Sequence, residues 1–207
     1  MQRIVERRTV WTLLLAAAIL RSGDVAAEQS TPMQNQHWPA EKILPAEPGR
    51  KACWRRVYNP EHLAAHPQQK VRELTFLLRV SGYDADGRYV FEHPHHVYYN
   101  FALSLKRRGD TRALATSGDC LGEKTADCAV DCDGGGVTIE KSPSGDGLTI
   151  RLHDRGIAFG GDCDTNSGAW VRPGADDKVF HLDRVSEESC KALEKERLGT
   201  WTEEPEH

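Results

Sequence analysis

The stretch that decides the fold is HVYYNFALSLK, residues 96–106, in which apolar and polar side chains alternate. Every second residue from Val97 to Leu105 is apolar or aromatic, and the residues between them are mostly polar or small. A repeat of two places one face of a β-strand on the core and the other face towards solvent. The stretch therefore predicts a half-buried strand.

The preceding segment, Val71–Val80, predicts a second strand, because Leu74, Phe76, Leu78 and Val80 recur with the same period. Between the two strands lies YDADG, residues 83–87, whose Asp-Gly step supplies the positive φ of a tight turn. These signals predict a hairpin.

Shorter β segments separated by Gly, Pro, Asp and Ser predict an all-β fold. We expect a single antiparallel sandwich or barrel, and the sequence does not choose between them. The predicted short strands are Arg88–Phe91, Arg112–Thr116, Val137–Lys141, Leu148–His153, Ile157–Phe159 and Val179–Val185.

Two short helices complete the predicted fold. Asn59 followed by Pro60 is typical of a helix cap with proline at the first helical position. Near the C-terminus, Ser186 is a candidate N-cap, and Val185 and Cys190 are spaced like a hydrophobic staple.

Residues 1–27 have the plan of a signal peptide. Three arginines precede an uncharged run of 12 residues, Thr9–Leu20, and small residues end the segment at Ala27. A membrane-spanning helix needs about 20 apolar residues, so we expect cleavage and export to the periplasm or the medium rather than stable membrane insertion.

The rest of the chain divides into a mobile, proline-rich leader over 28–50, a β-rich domain over 51–198 and a flexible acidic tail over 199–207. Removal of residues 1–27 takes away four basic and two acidic side chains, which leaves 23 positive and 29 negative ones, a net charge of −6. An acidic surface does not attract phosphate backbones. We therefore expect no nucleic-acid partner.

All six cysteines follow the predicted cleavage point, which in an exported chain indicates three disulfides. Zinc is the alternative, but structural zinc sites usually have two short ligand pairs, and only Cys128 and Cys132 are close together. Many pairings are possible. The one we favour joins Cys53 to Cys190, Cys120 to Cys128, and Cys132 to Cys163.

Three acidic loops set carboxylates two residues apart, as calcium loops do. The strongest is Asp162-x-Asp164-x-Asn166, which resembles the start of an EF-hand loop but has Pro173 where a bidentate Glu is required. The other two begin at Asp84 and Asp131. Because Asp and Gly are also common turn residues, ordinary β-turns are the alternative interpretation.

The histidines give a second metal hypothesis. His93 and His95 share a face of an extended chain, so two imidazoles point towards one zinc or copper ion, with a third ligand required from elsewhere. The alternative is that His95, in line with Val97, simply lies at the edge of the core.

The sequence contains neither a nucleophile elbow nor a complete phosphate loop. It therefore predicts a non-catalytic module that binds a protein or a small molecule, with an inhibitor as one form of it. A metal-assisted hydrolase that uses the histidines or the Asp162 loop is the alternative, and a calcium-stabilised structural module is the second. No cofactor is predicted beyond these calcium or zinc hypotheses.

Overall fold

In a computed structural model, residues 39–143, 145–160 and 168–199 are described, and strands dominate them. The helices are α1, Pro60–Ala65, and α2, Lys191–Arg197, with 3-10 helices at Pro39–Lys42 and Glu187–Cys190. The strands are β1 Lys51–Val57, β2 Val71–Tyr83, β3 His96–Arg107, β4 Leu114–Leu121, β5 Ala126–Ala129, β6 Gly135–Lys141, β7 Leu148–Phe159, β8 Ala169–Val171 and β9 Val179–Val185.

Eight of these strands close into an antiparallel barrel. Strands β1 to β7 each pair with their neighbours in sequence, and β9 then pairs with both β7 and β1. Strand β8 adds to the end of β7. The predicted mainly β fold is therefore confirmed, and the choice between sandwich and barrel is decided by β9, which joins the first strand to the seventh. Closure pairs strand edges that would otherwise be exposed.

The predicted alternation of β2 and β3 is confirmed, since their apolar faces are buried inside the barrel. The Phe76 and Phe101 rings stack there with centroids 5.7 Å apart. An eight-stranded barrel is just wide enough for side chains to fill it. Large side chains that fill this interior at no more than 1% exposure include Trp54, Phe76, Tyr99, Phe101, Ile139 and Phe180. These side chains occupy the interior, so a ligand site is expected on the outer wall.

Part of the predicted leader is packed structure, so the prediction for 28–50 is corrected over residues 39–50. Ala40 and Leu44 are 2% and 4% exposed within the core cluster, and the Tyr99 hydroxyl donates to the Leu44 carbonyl at 2.8 Å. The prolines of this segment led to the prediction of a mobile leader, although Ala40 and Leu44 pack in the core. The predicted signal peptide, the remainder of the leader and residues 200–207 of the predicted tail lie outside the described residues.

The predicted C-terminal helix is confirmed, and it lies against the outer wall of the barrel. Ser186 occupies the N-cap position of the 3-10 helix that precedes α2, but its side chain makes no capping hydrogen bond. The helix buries a second, smaller apolar cluster on the outward faces of β1 to β4. Its buried members are Cys53, Leu77, Ala102, Ala115, Cys190 and Leu193.

Two of the predicted disulfides, Cys53–Cys190 and Cys120–Cys128, are confirmed. The first joins β1 to the C-terminal 3-10 helix and spans 137 residues, whereas the second links directly opposed residues of β4 and β5. Cys132 is also disulfide-bonded. Its predicted partner, Cys163, lies outside the described residues.

The predicted strand Arg88–Phe91 is wrong. Strand β2 pairs directly with β3, and this pairing begins where Tyr83 lies opposite His96. The residues between the two strands contribute only an isolated bridge, between Tyr83 and Tyr89. The predicted turn is confirmed, with Gly87 at φ +78°. A chain that leaves a tight turn does not continue as a strand when the next long strand already occupies the partner edge.

Other strand boundaries also change. The predicted strands Leu148–His153 and Ile157–Phe159 are one continuous strand, β7, and Arg112–Thr116 is replaced by β4. Strands β1, β5 and β8 carried no alternation clear enough to be predicted, because their partners rather than their own sequences define them.

Candidate functional site

A cleft of about 280 Å³ opens on the outer wall, close to the pairing of β7 with β8. Ile157 and Val171, which pair across these strands, are buried, while the next pair joins Ala158 to Trp170. Because side chains alternate along a strand, Trp170 points outwards, and it is 38% exposed. The side chains that line this surface, which we call the Trp170 cleft, are Asp154, Arg155, Trp170 and Arg172.

Glycines shape the floor of the Trp170 cleft. Gly135 has φ +70°, and a Cβ at that position would lie 2.1 Å from the Gly156 carbonyl oxygen and 3.3 Å from a ring carbon of Trp170. Gly156 is itself at φ +84°. Such close backbone approach is open only to glycine. The indole thus rests beside a backbone that carries no side chain.

The two arginines of the cleft are available to a ligand. Neither Arg155 nor Arg172 makes a side-chain hydrogen bond or ion pair within the described ranges, and both are exposed. Asp154 lies 3.9 Å from Lys178, with its side chain 97% exposed. An unpaired guanidinium presents a planar fork of N–H donors that matches a carboxylate or phosphate. The cleft can therefore bind an anion beside an exposed aromatic face.

The candidate metal ligands His93 and His95 lie in the loop between β2 and β3, and both are exposed. The centroids of the His95 and His96 rings lie 6.4 Å apart. Within residues 39–143, 145–160 and 168–199, no group of three or more His, Cys, Asp or Glu side chains is arranged to hold a metal. The structure brings no third ligand to the pair from these ranges.

Aromatic residues of this loop and of the strands beside it form a partly exposed cluster. Tyr83 makes edge contacts with Tyr89 and Tyr98, at centroid distances of 6.1 and 5.6 Å, and Tyr89 contacts Phe91 at 4.9 Å. Tyr98 is 38% exposed. The alternation that puts Tyr99 inside the barrel puts Tyr98 outside it.

The first two acidic loops are turns held by their own carboxylates or backbone. Asp84 accepts the backbone N–H groups of Asp86 and Arg88 at 2.9 and 2.8 Å. At the β5–β6 hairpin, Cys132 and Asp133 have φ +60° and +59°, the pair of left-handed residues that a two-residue hairpin turn requires. The candidate ligands Asp162, Asp164 and Asn166 lie outside the described residues, so calcium in that loop stays a prediction.

A hydroxyl, an imidazole and a carboxylate meet on the outer wall, at Thr138, His153 and Asp127. Burial alone would raise the pKa of Asp127, but hydrogen bonds from Thr125 and Thr138 and the neighbouring His153 lower it overall. The ionised carboxylate takes the single proton of Thr138, at 2.7 Å, so His153 can only donate to that hydroxyl, at 3.3 Å. A nucleophile needs the imidazole to accept its proton, and this arrangement is the reverse.

A second cleft, of about 520 Å³, includes His181, Asp183 and Arg184 of β9. Its charged groups have partners in the protein. Asp183 accepts from Arg56 at 3.0 Å, and the Arg184 guanidinium lies 4.7 Å from the Trp54 ring centroid. His181 lies within 3.1 Å of the Thr149 hydroxyl, and the structure does not bring it to His153. We therefore place the candidate site at the Trp170 cleft.

The residues of the Trp170 cleft were not predicted. The one signal in the sequence is an outward tryptophan in a short glycine-preceded segment, Gly168-Ala169-Trp170, followed by Arg172. Arg155 belongs to a different segment of the chain, and only the pairing of β7 with β8 brings it near.

No protein-family model, curated protein or solved structure matches this chain. Among the described residues, no helix is long and apolar enough to cross a membrane. What the chain does has to be inferred from its own geometry.

Proposed function

We propose that this chain is an exported, non-catalytic binding protein, and that its Trp170 cleft takes a small anionic ligand. The single observation that carries the proposal is a pair of exposed arginines, Arg155 and Arg172, without a protein partner in the described ranges, beside a tryptophan that is 38% exposed. Charged side chains that serve the fold are normally paired, as the buried Arg79 is with Glu194.

Export is supported by the cysteines. Two disulfides lie in the described residues, Cys132 is disulfide-bonded as well, and no described cysteine is free. Structural disulfides form and persist in oxidising compartments and are rare in the cytosol. The signal-peptide pattern of residues 1–27 leads to the same proposal, a periplasmic or secreted protein.

Intact-mass spectrometry of the protein purified from outside the cytosol tests the export proposal. We expect cleavage after Ala27 and the loss of six hydrogen atoms relative to the fully reduced chain. A protein that retains residues 1–27 and reduced thiols would contradict it.

Isothermal titration of the exported protein with inorganic phosphate, acetate and galacturonate tests the binding proposal. At least one of these anions should bind, and replacement of both arginines by glutamine should abolish the heat signal. The matched control is Arg151→Gln, an exposed arginine of the same strand that lies outside the cleft. Native mass spectrometry covers the alternative, because a stoichiometric metal that a chelator removes together with hydrolytic activity would overturn the proposal.

A further inference from the structure

We infer that the ligand of the Trp170 cleft is a sugar ring that carries a carboxylate, such as a uronic acid unit of an acidic glycan. The inference rests on the proposed function and specifies its ligand. Four side chains of three chemical kinds line the cleft, namely two guanidinium donors, one carboxylate acceptor and one aromatic ring. A ligand that uses all three needs an anionic group, hydroxyl donors and an apolar ring face.

Trp170 provides the stacking face. Its ring lies beside Gly135, where the absence of a side chain leaves the backbone close to one part of the indole, and 38% of the residue remains exposed. The π face of an aromatic ring is electron-rich and attracts the weakly positive C–H groups on the apolar face of a pyranose. The cleft volume of about 280 Å³ lies just below the usual range for ligand pockets, about 300–1,000 Å³, so it suits one or two rings of a longer glycan.

Asp154 discriminates between a carboxylate and a phosphate. Its carboxylate shares the cleft with Arg155 and Arg172. A phosphate carries close to two negative charges, and Asp154 repels it more strongly than it repels a singly charged carboxylate. An ionised carboxylate is also an acceptor only, so it binds hydroxyl donors, of which a sugar offers several. The arginines then take the ligand carboxylate as a planar, two-oxygen acceptor.

The experiment is isothermal titration calorimetry on the full exported protein with three probes: trigalacturonate, the neutral galactotriose and adenosine monophosphate. We expect trigalacturonate to bind at least about tenfold more tightly than galactotriose, which lacks the carboxylate and so loses a charge-assisted hydrogen bond. It should also bind more tightly than adenosine monophosphate, whose phosphate Asp154 repels more strongly than a single carboxylate. Arg172→Gln should weaken trigalacturonate binding by about tenfold for the same reason, and Trp170→Ala should weaken both sugars.

Two control variants match the tested residues. Arg151→Gln removes an exposed arginine from β7 outside the cleft, and Tyr98→Ala removes an aromatic side chain whose residue has the same exposure as Trp170, 38%. Both should leave the affinity for trigalacturonate unchanged within about twofold, the level expected of an uninvolved surface residue. Circular dichroism unfolding of every variant checks that the barrel is intact.

The outcomes separate the two proposals. If adenosine monophosphate binds as tightly as trigalacturonate and loses affinity in Arg172→Gln, the sugar inference is wrong and the anion-binding function stands. If galactotriose binds as tightly as trigalacturonate, the carboxylate has no role and the inference also fails. If none of the probes binds, or if the cleft variants bind like the controls, both proposals fail.

Discussion

Two stretches of the same outer wall differ in how their arginines are used. Under α2, Arg79 has a side chain only 7% exposed; it ion-pairs with Glu194 and donates to the carbonyl of Leu198. Burial lowers the pKa of Arg79, and Glu194 opposes that shift. In the Trp170 cleft, by contrast, Arg155 and Arg172 are exposed and make no side-chain hydrogen bond or ion pair within the described residues.

The comparison separates charges on the outer wall that stabilise the fold from charges at the proposed ligand site. Where a helix and the Cys53–Cys190 disulfide cover the wall, charges are buried, paired and needed for stability. Where the wall is open, charges contribute little to folding and are free to meet a ligand. Stability and binding variants should therefore fall in different places.

Removal of the disulfide under α2 should have the largest effect. In the chain-entropy model, the 137-residue span of Cys53–Cys190 contributes about 5 kcal/mol, and the 8-residue span of Cys120–Cys128 about 2.5 kcal/mol. Guanidinium unfolding of the two double Cys→Ala variants measures both losses. Equal losses would contradict the larger contribution expected of the longer loop.

Glu194→Ala should destabilise the protein by about 3 kcal/mol, because it removes the carboxylate that ion-pairs with the buried Arg79 guanidinium and with Lys51. The matched control is Glu47→Ala, which removes the partner of Arg50 in a pair whose side chains are 60% and 55% exposed and should cost at most about 1 kcal/mol. Urea unfolding of both variants measures the two losses of unfolding free energy. A loss for Glu194→Ala no larger than the control would contradict the assignment of Arg79 to structure.

Acid should selectively weaken the contacts of Asp127. The pKa of its carboxyl is lower in the folded protein than its ordinary value of 3.8, so its stabilising contribution is present above that value. The contribution is lost as the pH falls through the lower, folded value. Between pH 6 and 2, Asp127→Asn should therefore flatten the decline of unfolding free energy, and Asp86→Asn, at an exposed turn, serves as control. If the unfolding free energy of Asp127→Asn declined with falling pH as steeply as that of the wild type, the prediction would be wrong.

The smallest effect on stability should come from the cleft itself. Arg155→Gln and Arg172→Gln should each change the unfolding free energy by less than about 0.5 kcal/mol, as for surface side chains that have no partner among the described residues. The double variant should lose the proposed anion binding. Thermal unfolding without trigalacturonate measures the stability of each variant, and the change in Tm when trigalacturonate is added measures binding. A large loss of stability without ligand would place these arginines with Arg79, and the distinction between the two regions would disappear.

Much of the fold follows from local patterns in the sequence. The strands β2 and β3 are long enough, 13 and 12 residues, for a period of two to be unmistakable. Residues close together in the chain also define the turn at Gly87, the helix cap at Asn59 and the strand β9. The Asn59 side chain, for example, accepts the His62 N–H at 2.8 Å. Each of these was predicted because its cause is local.

The missed elements have distant causes. Strand β5 has four residues and β8 three, too few for any period to show, and they are strands because β4, β6 and β7 offer them partners. Residues 39–50 contain the prolines of a leader, yet Leu44 packs in the core cluster and its carbonyl accepts from Tyr99, 55 residues away in the chain. Composition alone cannot reveal an anchor of that kind.

The sequence by itself determined that this is a β protein with paired cysteines, since alternation and cysteine number are written residue by residue. Only the tertiary structure decided that the sheet closes through β9, and that Arg155 and Arg172 stand beside Trp170. The physical reason is that closure and convergence depend on hydrogen bonds between strands far apart in the chain, and a single strand does not record which partner it will meet.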